Sequence, residues 1–436
     1  MTMKLAALRK KYPAFLYKRY SYKKKGRDLH IAFEFAAPPD IVFHPRVVIQ
    51  DVPNYRGNIE NLVFHLGLVE MLSYWKATCS PKIVVQAGKL TARQISWLQD
   101  LTMQGMGEYF FENKIDFTKK DFLTITSTPR DKLNLVKFIN LTKLSLRDRA
   151  LVPVGGGKDA AVTLELLKQG GMSITPFVLN PKKEQLEIMK ASKAGKPIVV
   201  KRTIDKKLLE LNQQGYLNGH TPFSAYLAFL TVLVAAIFDY KYIALSNERS
   251  SNYGNVKYLG KTINHQYSKT YEFEQKFRKY STKYLASGVE YFSFLRPLWE
   301  LQIAQLFAQY QKYHSVFLSC NTAHKTKSGS KKPTGKWCGK CAKCLFVFLA
   351  LYPFLGEKDT VKIFNKNLLK DKKLKPLLDE LTGKKRFKPF ECVGTAQETR
   401  AAIALQDKTR HPLLKAWNSK HFLPKKFESI LKAHVK

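Results

Sequence analysis

Apolar and polar positions follow two regimes along this chain. Up to about Thr142, alternating and helical patterns succeed one another without a fixed order. Alternation over Leu29–Phe35 and Arg46–Asp51 predicts strands. Asn61 to Trp75 places Leu62, Leu66, Val69 and Leu72 at helical spacing, and a strand-like run covers Lys82–Val85. A second helical pattern runs from Thr91 to Met103 through Ile95, Leu98 and Leu101. The segment Gly105–Asn113 is loop-like, mixing glycines, aromatics and acids; it reads as a capped helix end or as a loop facing a substrate.

From about Arg147 short apolar runs alternate with helical segments. Strands are expected at Leu151–Val154, Ile174–Leu179, Ile198–Lys201, Tyr242–Leu245, Tyr291–Phe294 and Val316–Leu318. Helices lie between them, notably Phe223–Phe238 and Leu301–Tyr310. This alternation predicts an α/β fold with a doubly wound, mainly parallel sheet, in which ligands bind beyond the carboxyl ends of the strands. The expected division is an N-terminal α+β domain over 1–145, a domain over 146–355 built on the parallel sheet and carrying a knuckle of four cysteines, and a basic, mostly helical region over 356–436. Pro222–Phe238 is apolar and uncharged but shorter than the roughly 20 residues that span a bilayer, so a helix buried against the sheet is expected. Met1-Thr2-Met3-Lys4 leads into charged residues rather than a secretory apolar run, and a cytoplasmic location without membrane insertion is expected.

Loops that follow strands carry the chemistry. Leu151–Val154 ends in Gly155-Gly156-Gly157-Lys158-Asp159, and a helical segment with Val162, Leu166 and Leu167 on one face runs on to Gly170-Gly171. Glycines ahead of a helix N-terminus present unpaired N–H groups to a phosphate and leave room for it to approach. Lys158 adds a charge for phosphate, and Asp159 is suited to orient the loop or hold a metal ion. The bland alternative is a plain glycine turn. After Tyr242–Leu245 comes Ser246-Asn247-Glu248-Arg249-Ser250-Ser251-Asn252, with Asn247 and Glu248 placed for ribose or metal and Arg249 for an anion. Arg296, in Leu295-Arg296-Pro297-Leu298-Trp299-Glu300-Leu301, is a further candidate for phosphate. Thr221 and Pro222 suit the N-cap and first position of the apolar helix. His220 is free to act as a base or to meet an anion there, and His265, in Asn264–Lys269, is either structural or functional.

Six cysteines alter the picture further. Cys320 with Cys338-Gly339-Lys340-Cys341-Ala342-Lys343-Cys344 supplies four thiolates, enough for a structural Zn²⁺, with an iron–sulfur cluster as the alternative. A closed site of this kind pins the segment Asn321–Trp337 and does no chemistry. Cys392 stands apart in Phe390-Glu391-Cys392-Val393-Gly394-Thr395, near a helix N-terminus that favours a thiolate; core packing and catalysis are both open to it. Gln397–Gln406 looks helical. The net charge of +40, from 74 Lys and Arg against 34 Asp and Glu, suits a multiply anionic small substrate; nucleic acid is not favoured, because the lysines spread along the whole chain.

Gly156, Gly157 and Asp159 resemble the S-G-G-x-D-S loop of the PP-loop ATP pyrophosphatases, with Gly155 and Ala160 where that pattern has serines. The cysteine group resembles the zinc knuckle of PP-loop enzymes that make 7-cyano-7-deazaguanine. The chain as a whole resembles the MurL family of epimerases, through His65–Cys79, Gly105–Phe110, Val154–Asp159, Gly219–Ser224, Ala244–Ser250, Asn264–Lys269, Cys338–Phe348 and Phe390–Thr395. The resemblance implies a PP-loop, Rossmann-like sheet that uses ATP and Mg²⁺. It also implies epimerisation of the terminal L-glutamate of UDP-N-acetylmuramoyl-L-alanyl-L-glutamate through an acyl-adenylate, releasing AMP and diphosphate. Cys392 and His220, with His265 in reserve, are the candidates for moving the Cα proton. A PP-loop enzyme that adenylates tRNA or a nucleobase is the rival expectation.

Overall fold

The computed structural model describes residues 4–55, 57–128, 146–324, 334–385, 387–405 and 410–435. Thirteen strands run along the described chain: β1 (Ala14–Lys25), β2 (Asp28–Ala37), β3 (Ile41–Phe43), β4 (Arg46–Ile49), β5 (Lys82–Val85), β6 (Thr124–Ser127), β7 (Arg147–Pro153), β8 (Ile174–Leu179), β9 (Ile198–Thr203), β10 (Tyr240–Leu245), β11 (Val256–Tyr258), β12 (Lys261–Ile263) and β13 (Glu290–Ser293). Eleven of them form one sheet in the order β13-β10-β7-β8-β9-β4-β2-β1-β5-β6, with β3 paired to β2; β11 and β12 form a separate hairpin.

The half of the sheet from β13 to β9 is wholly parallel. Its neighbouring residues point to opposite faces. On β7, Leu151 enters one apolar core while Ala150 and Val152 enter the other; on β10, Ile243 parts in the same way from Tyr242 and Ala244. Burial on both faces is what a parallel sheet covered by helices requires. One face is covered by Phe223–Ile237, whose fifteen residues carry no charge and are nearly all buried. The other face is covered by helices Lys158–Gln169, Glu300–Ala308 and Ala342–Phe364. Among the described residues no helix is long and apolar enough to cross a membrane.

The strands of the N-terminal residues continue this sheet. β4 pairs antiparallel with β9, Val48 opposite Lys201, and β1, β2 and β5 extend the sheet outward from there. The β1–β2 hairpin turns tightly at Gly26, where φ is +58°.

Several local expectations give way. Val316–Leu318 is not a strand; the Leu318 N–H donates to the Gly156 carbonyl (2.9 Å) and so braces the glycine loop instead. Gly105–Asn113 is not a loop, because Gly107–Glu112 is helical. Thr221 does not cap the apolar helix: Pro222 occupies the N-cap, packed so closely that a Cβ on Gly105 would lie 2.7 Å from its ring. The predicted helix Gln397–Gln406 is Ala396–Ala404, and Gln406 lies outside the described residues, as do 325–333 of the segment Asn321–Trp337.

Candidate active site

β8 and β9 follow β7 on one side, while β10 and β13 lie on the other. The strand order therefore reverses between β7 and β10, the place where open α/β sheets bind ligands. The two loops leaving these strands, Gly155–Asp159 and Ser246–Ser251, meet there. Gly156 takes φ +88°, and a Cβ on it would meet Glu184 at 2.9 Å, so only glycine fits. Gly155 borders open space. Helix Lys158–Gln169 starts at Gly157 with no side chain capping it, which leaves its first N–H groups for a ligand.

Asp159 and Glu300, in the first turns of two helices, converge with Glu248 from the loop after β10, each offering a carboxylate oxygen within 4.8 Å of the others. Glu248 and Glu300 are buried. Burial, then the neighbouring Glu300, pushes Glu248 up to about 7. Burial opposes ionisation of Glu300 too, but Lys158 and Lys343 hold it down to about 2. Lys158 does not project into the glycine loop as expected: its ammonium is buried against Asp159 and Glu300. Arg296 is not at the phosphate position either. Its guanidinium is fully buried and donates to the Glu248 carbonyl (2.7 Å), Ser251 Oγ (2.9 Å), Glu274 (3.1 Å) and the Lys269 carbonyl, so it clamps two site loops together. Asn247 donates to Ser293 Oγ at 3.0 Å, tying the ends of β10 and β13. The Arg249 guanidinium lies over Trp299, 4.2 Å from the ring centre.

A second cluster adjoins the first. Cys392 Sγ lies 3.3 Å from Lys269 Nζ and 3.6 Å from His265 Nε2. His265 Nδ1 lies 2.8 Å from Glu108, and His220 Nδ1 lies 3.5 Å from the same carboxylate oxygen. Burial raises the Cys392 thiol, but Lys269 and then His265 outweigh it and bring it down to about 5. Burial opposes protonation of His265, yet Cys392 and Glu108 lift it to about 9. Burial, only partly offset by Glu108, drops His220 to about 4. At neutral pH the cluster therefore holds a thiolate beside an imidazolium, with a neutral imidazole alongside.

These groups come from four distant segments, each locked in place. The Lys76 ammonium donates to the Gly219 carbonyl (2.9 Å) and fixes the His220 loop. Buried Asn255 accepts from the His265 N–H (2.9 Å) and donates to the Pro389 carbonyl (2.7 Å), stapling the Cys392 segment to the His265 loop. Sequence reasoning brought Cys392, His220 and His265 forward without Glu108, Glu300, Lys269 or Asn255. Glu108 and Glu300 do lie inside stretches singled out for their polar character.

The four remaining site cysteines also gather. Sγ separations are 3.9 Å for Cys320–Cys341, 3.7 Å for Cys338–Cys344 and 3.6 Å for Cys341–Cys344. A tetrahedral Zn²⁺ with bonds of about 2.3 Å has ligand–ligand edges of about 3.8 Å, so the thiolates fit one such ion. An iron–sulfur cluster spreads its thiolates over several metal atoms and needs wider spacing. Gly339, at φ +61°, turns the chain between Cys338 and Cys341. The N–H groups of Ala323 and Lys340 point to Cys320 and Cys338 at 3.4 Å each.

Fold and site together describe an α/β protein with a glycine loop at the switch point of its sheet and a cluster of one cysteine, two histidines and a glutamate beside it. The sequence profile of the MurL N-terminal domain matches residues 6–294, and that of the MurL C-terminal domain matches residues 316–431. The chain belongs to the MurL family. A relative from Xanthomonas oryzae pv. oryzae (strain MAFF 311018) is 35% identical over 341 residues, 78% of this chain and 73% of the relative. One from Micromonospora sp. (strain ATCC 39149 / NRRL 15099 / SCC 1413) is 36% identical over 358 residues, covering 80% and 76% of the two chains. A third, from Salinispora tropica, is 31% identical over 401 residues, covering 90% and 84%. All three are named UDP-N-acetyl-alpha-D-muramoyl-L-alanyl-L-glutamate epimerase. No solved structure matches the chain significantly.

Proposed function

We propose that this protein inverts the terminal L-glutamate of UDP-N-acetylmuramoyl-L-alanyl-L-glutamate to D-glutamate, in the cytoplasm and as a step of peptidoglycan precursor synthesis. ATP activates the substrate carboxylate as an acyl-adenylate, diphosphate leaves, and water finally releases AMP. The observation that carries this reading is the pairing of the Cys392–His265–Glu108–His220 cluster with a glycine cradle at the switch of strand order.

The chemistry requires both halves. Removing a Cα proton beside an ionised carboxylate places two negative charges on neighbouring atoms; adenylation removes one and lets the enolate delocalise. Diphosphate oxygens are bound by the N–H groups at Gly156 and Gly157 and at the uncapped start of helix Lys158–Gln169. Asp159, Glu248 and Glu300 form a hard, all-oxygen donor set suited to Mg²⁺ and would hold the ion that accompanies ATP. When bound, that ion supplies charge neutralisation for the phosphates. Cys320, Cys338, Cys341 and Cys344 would hold Zn²⁺ as a structural ion, bracing Leu318 against the cradle.

His220, kept neutral by burial, is poised to accept a proton. The Cys392–His265 pair shares one proton between thiolate and imidazole and is poised to return it, and the roles exchange in the reverse direction. Glu108 touches both imidazoles and sets their orientation. The test is incubation of the protein with ATP, Mg²⁺ and the UDP-muramoyl dipeptide, followed by chiral chromatography of the hydrolysed glutamate and assay of AMP. D-glutamate formed with a matching amount of AMP is expected. ATP left intact with only L-glutamate recovered overturns the reading.

A further inference from the structure

One charged group in the centre has nothing to bind. The Lys388 ammonium is buried and makes no hydrogen bond. The other lysines around it are engaged: Lys158 with Asp159 and Glu300, Lys343 with Glu300 at 3.5 Å, Lys269 with Cys392. A buried cation without a partner costs several kcal/mol, and such a group in a folded protein calls for an explanation, commonly a ligand atom. Burial lowers the Lys388 ammonium from its ordinary value, and the negative charges of Glu398, Glu248, Cys392 and Glu300 partly offset this.

The backbone around Lys388 is held firmly. Its N–H donates to the Asn255 carbonyl at 3.1 Å, and Asn255 Nδ2 donates back to the Lys388 and Pro389 carbonyls at 3.3 and 2.7 Å. The same Asn255 receives the His265 N–H. Lys388 also lines a cavity of about 240 Å³ whose walls include Gly254, Gly394 and Thr395. The Lys388 backbone is thus tied through Asn255 to the His265 loop, four residues ahead of Cys392 on one short segment.

The substrate read above brings two carboxylates to this place. One is converted to the adenylate, beside the glycine cradle that takes the leaving diphosphate. The other, on the glutamate side chain, stays ionised two methylenes from the carbon that loses its proton, and it needs a cation close to Cys392. We infer that Lys388 binds the side-chain carboxylate of the substrate's terminal glutamate and so makes the enzyme specific for glutamate over its neutral isostere glutamine. This rests on the epimerase reading for the identity of the peptide.

Calorimetric titration of the full-length protein with UDP-muramoyl dipeptides ending in Glu or Gln tests it without turnover. The wild type should bind the Glu peptide roughly 10- to 100-fold more tightly, as expected for a charge-assisted hydrogen bond. Lys388→Met should bind the two peptides equally by weakening only the Glu peptide, and Lys388→Arg, which keeps the charge, should restore much of the preference. Equal binding by the wild type, or a preference that survives in Lys388→Met, overturns the inference; should Lys388→Met not fold, a Lys388→Gln protein that retains the preference does the same. Inversion of glutamate by the wild type is scored separately, so a failure of the parent reading is told apart from a failure of the role of Lys388.

Discussion

A group of four cysteines and the lone Cys392 sit in opposite surroundings in this molecule. Around Cys320, Cys338, Cys341 and Cys344 the nearest partners of each sulfur are other sulfurs and backbone N–H groups, at spacings that suit one tetrahedral ion. Around Cys392 the nearest partners are an ammonium and an imidazole. The first surroundings suit a bound metal ion; the second favour a single thiolate. The two are connected: Cys320 lies two residues beyond Leu318, which bonds the glycine loop, and Lys343, between Cys341 and Cys344, reaches Glu300.

The contrast can be broken most severely at Cys392. Cys392→Ala should slow exchange of the substrate Cα hydrogen by about a thousandfold, within the range of a lost general acid or base, while leaving the melting temperature nearly unchanged. Deuterium exchange followed by NMR, with calorimetry alongside, checks both halves. Cys341→Ala should behave the other way: bound zinc falls from one ion per chain towards none, by elemental analysis, and stability falls by about 3 kcal/mol. Chemical denaturation measures that loss. A Cys392→Ala protein that melts early, or a Cys341→Ala protein that keeps its zinc, would erase the distinction.

Glu108→Gln removes a charge that touches both histidines and should lower kcat/KM by roughly 10- to 100-fold. The pH profile refines this. With Cys392 brought down to about 5 and His265 raised to about 9, activity should rise with pH through about 5 as the thiolate forms. It should fall through about 9 as His265 loses its proton. Glu108 favours the protonated His265, so in Glu108→Gln the alkaline limb moves to lower pH. An unmoved limb would detach Glu108 from the imidazole.

The glycine cradle, the cysteine group and the parallel half of the sheet were legible because each rests on local pattern. β5 and β8 fall at the residues alternation predicts, and the apolar run of Phe223–Ile237 announces its burial. What the chain hid depends on contacts far apart in sequence. Arg296 resembles a phosphate ligand after a strand, yet Glu274 and four carbonyl or hydroxyl acceptors take up both terminal nitrogens of its guanidinium. Glu108 sits on a short helix whose glycines and aromatics suggest a loop, and only the fold carries it 157 positions to His265. Lys158 follows the glycines as a phosphate-binding lysine would, but Glu300, 142 positions on, captures it together with the adjacent Asp159. The far end of β1, Tyr22-Lys23-Lys24-Lys25, pairs with β2 alone, and its three consecutive lysines conceal the strand.

The central claim is that ATP makes one substrate hydrogen labile to the Cys392–His265–His220 centre. Its most direct test is solvent deuterium at the glutamate Cα, measured by mass spectrometry after reaction of the UDP-muramoyl dipeptide in D₂O with and without ATP. The account predicts deuterium at Cα in the D-glutamate product, with AMP formed, and none when ATP is omitted. Inversion that retains the original hydrogen, or exchange that proceeds equally well without ATP, would contradict it.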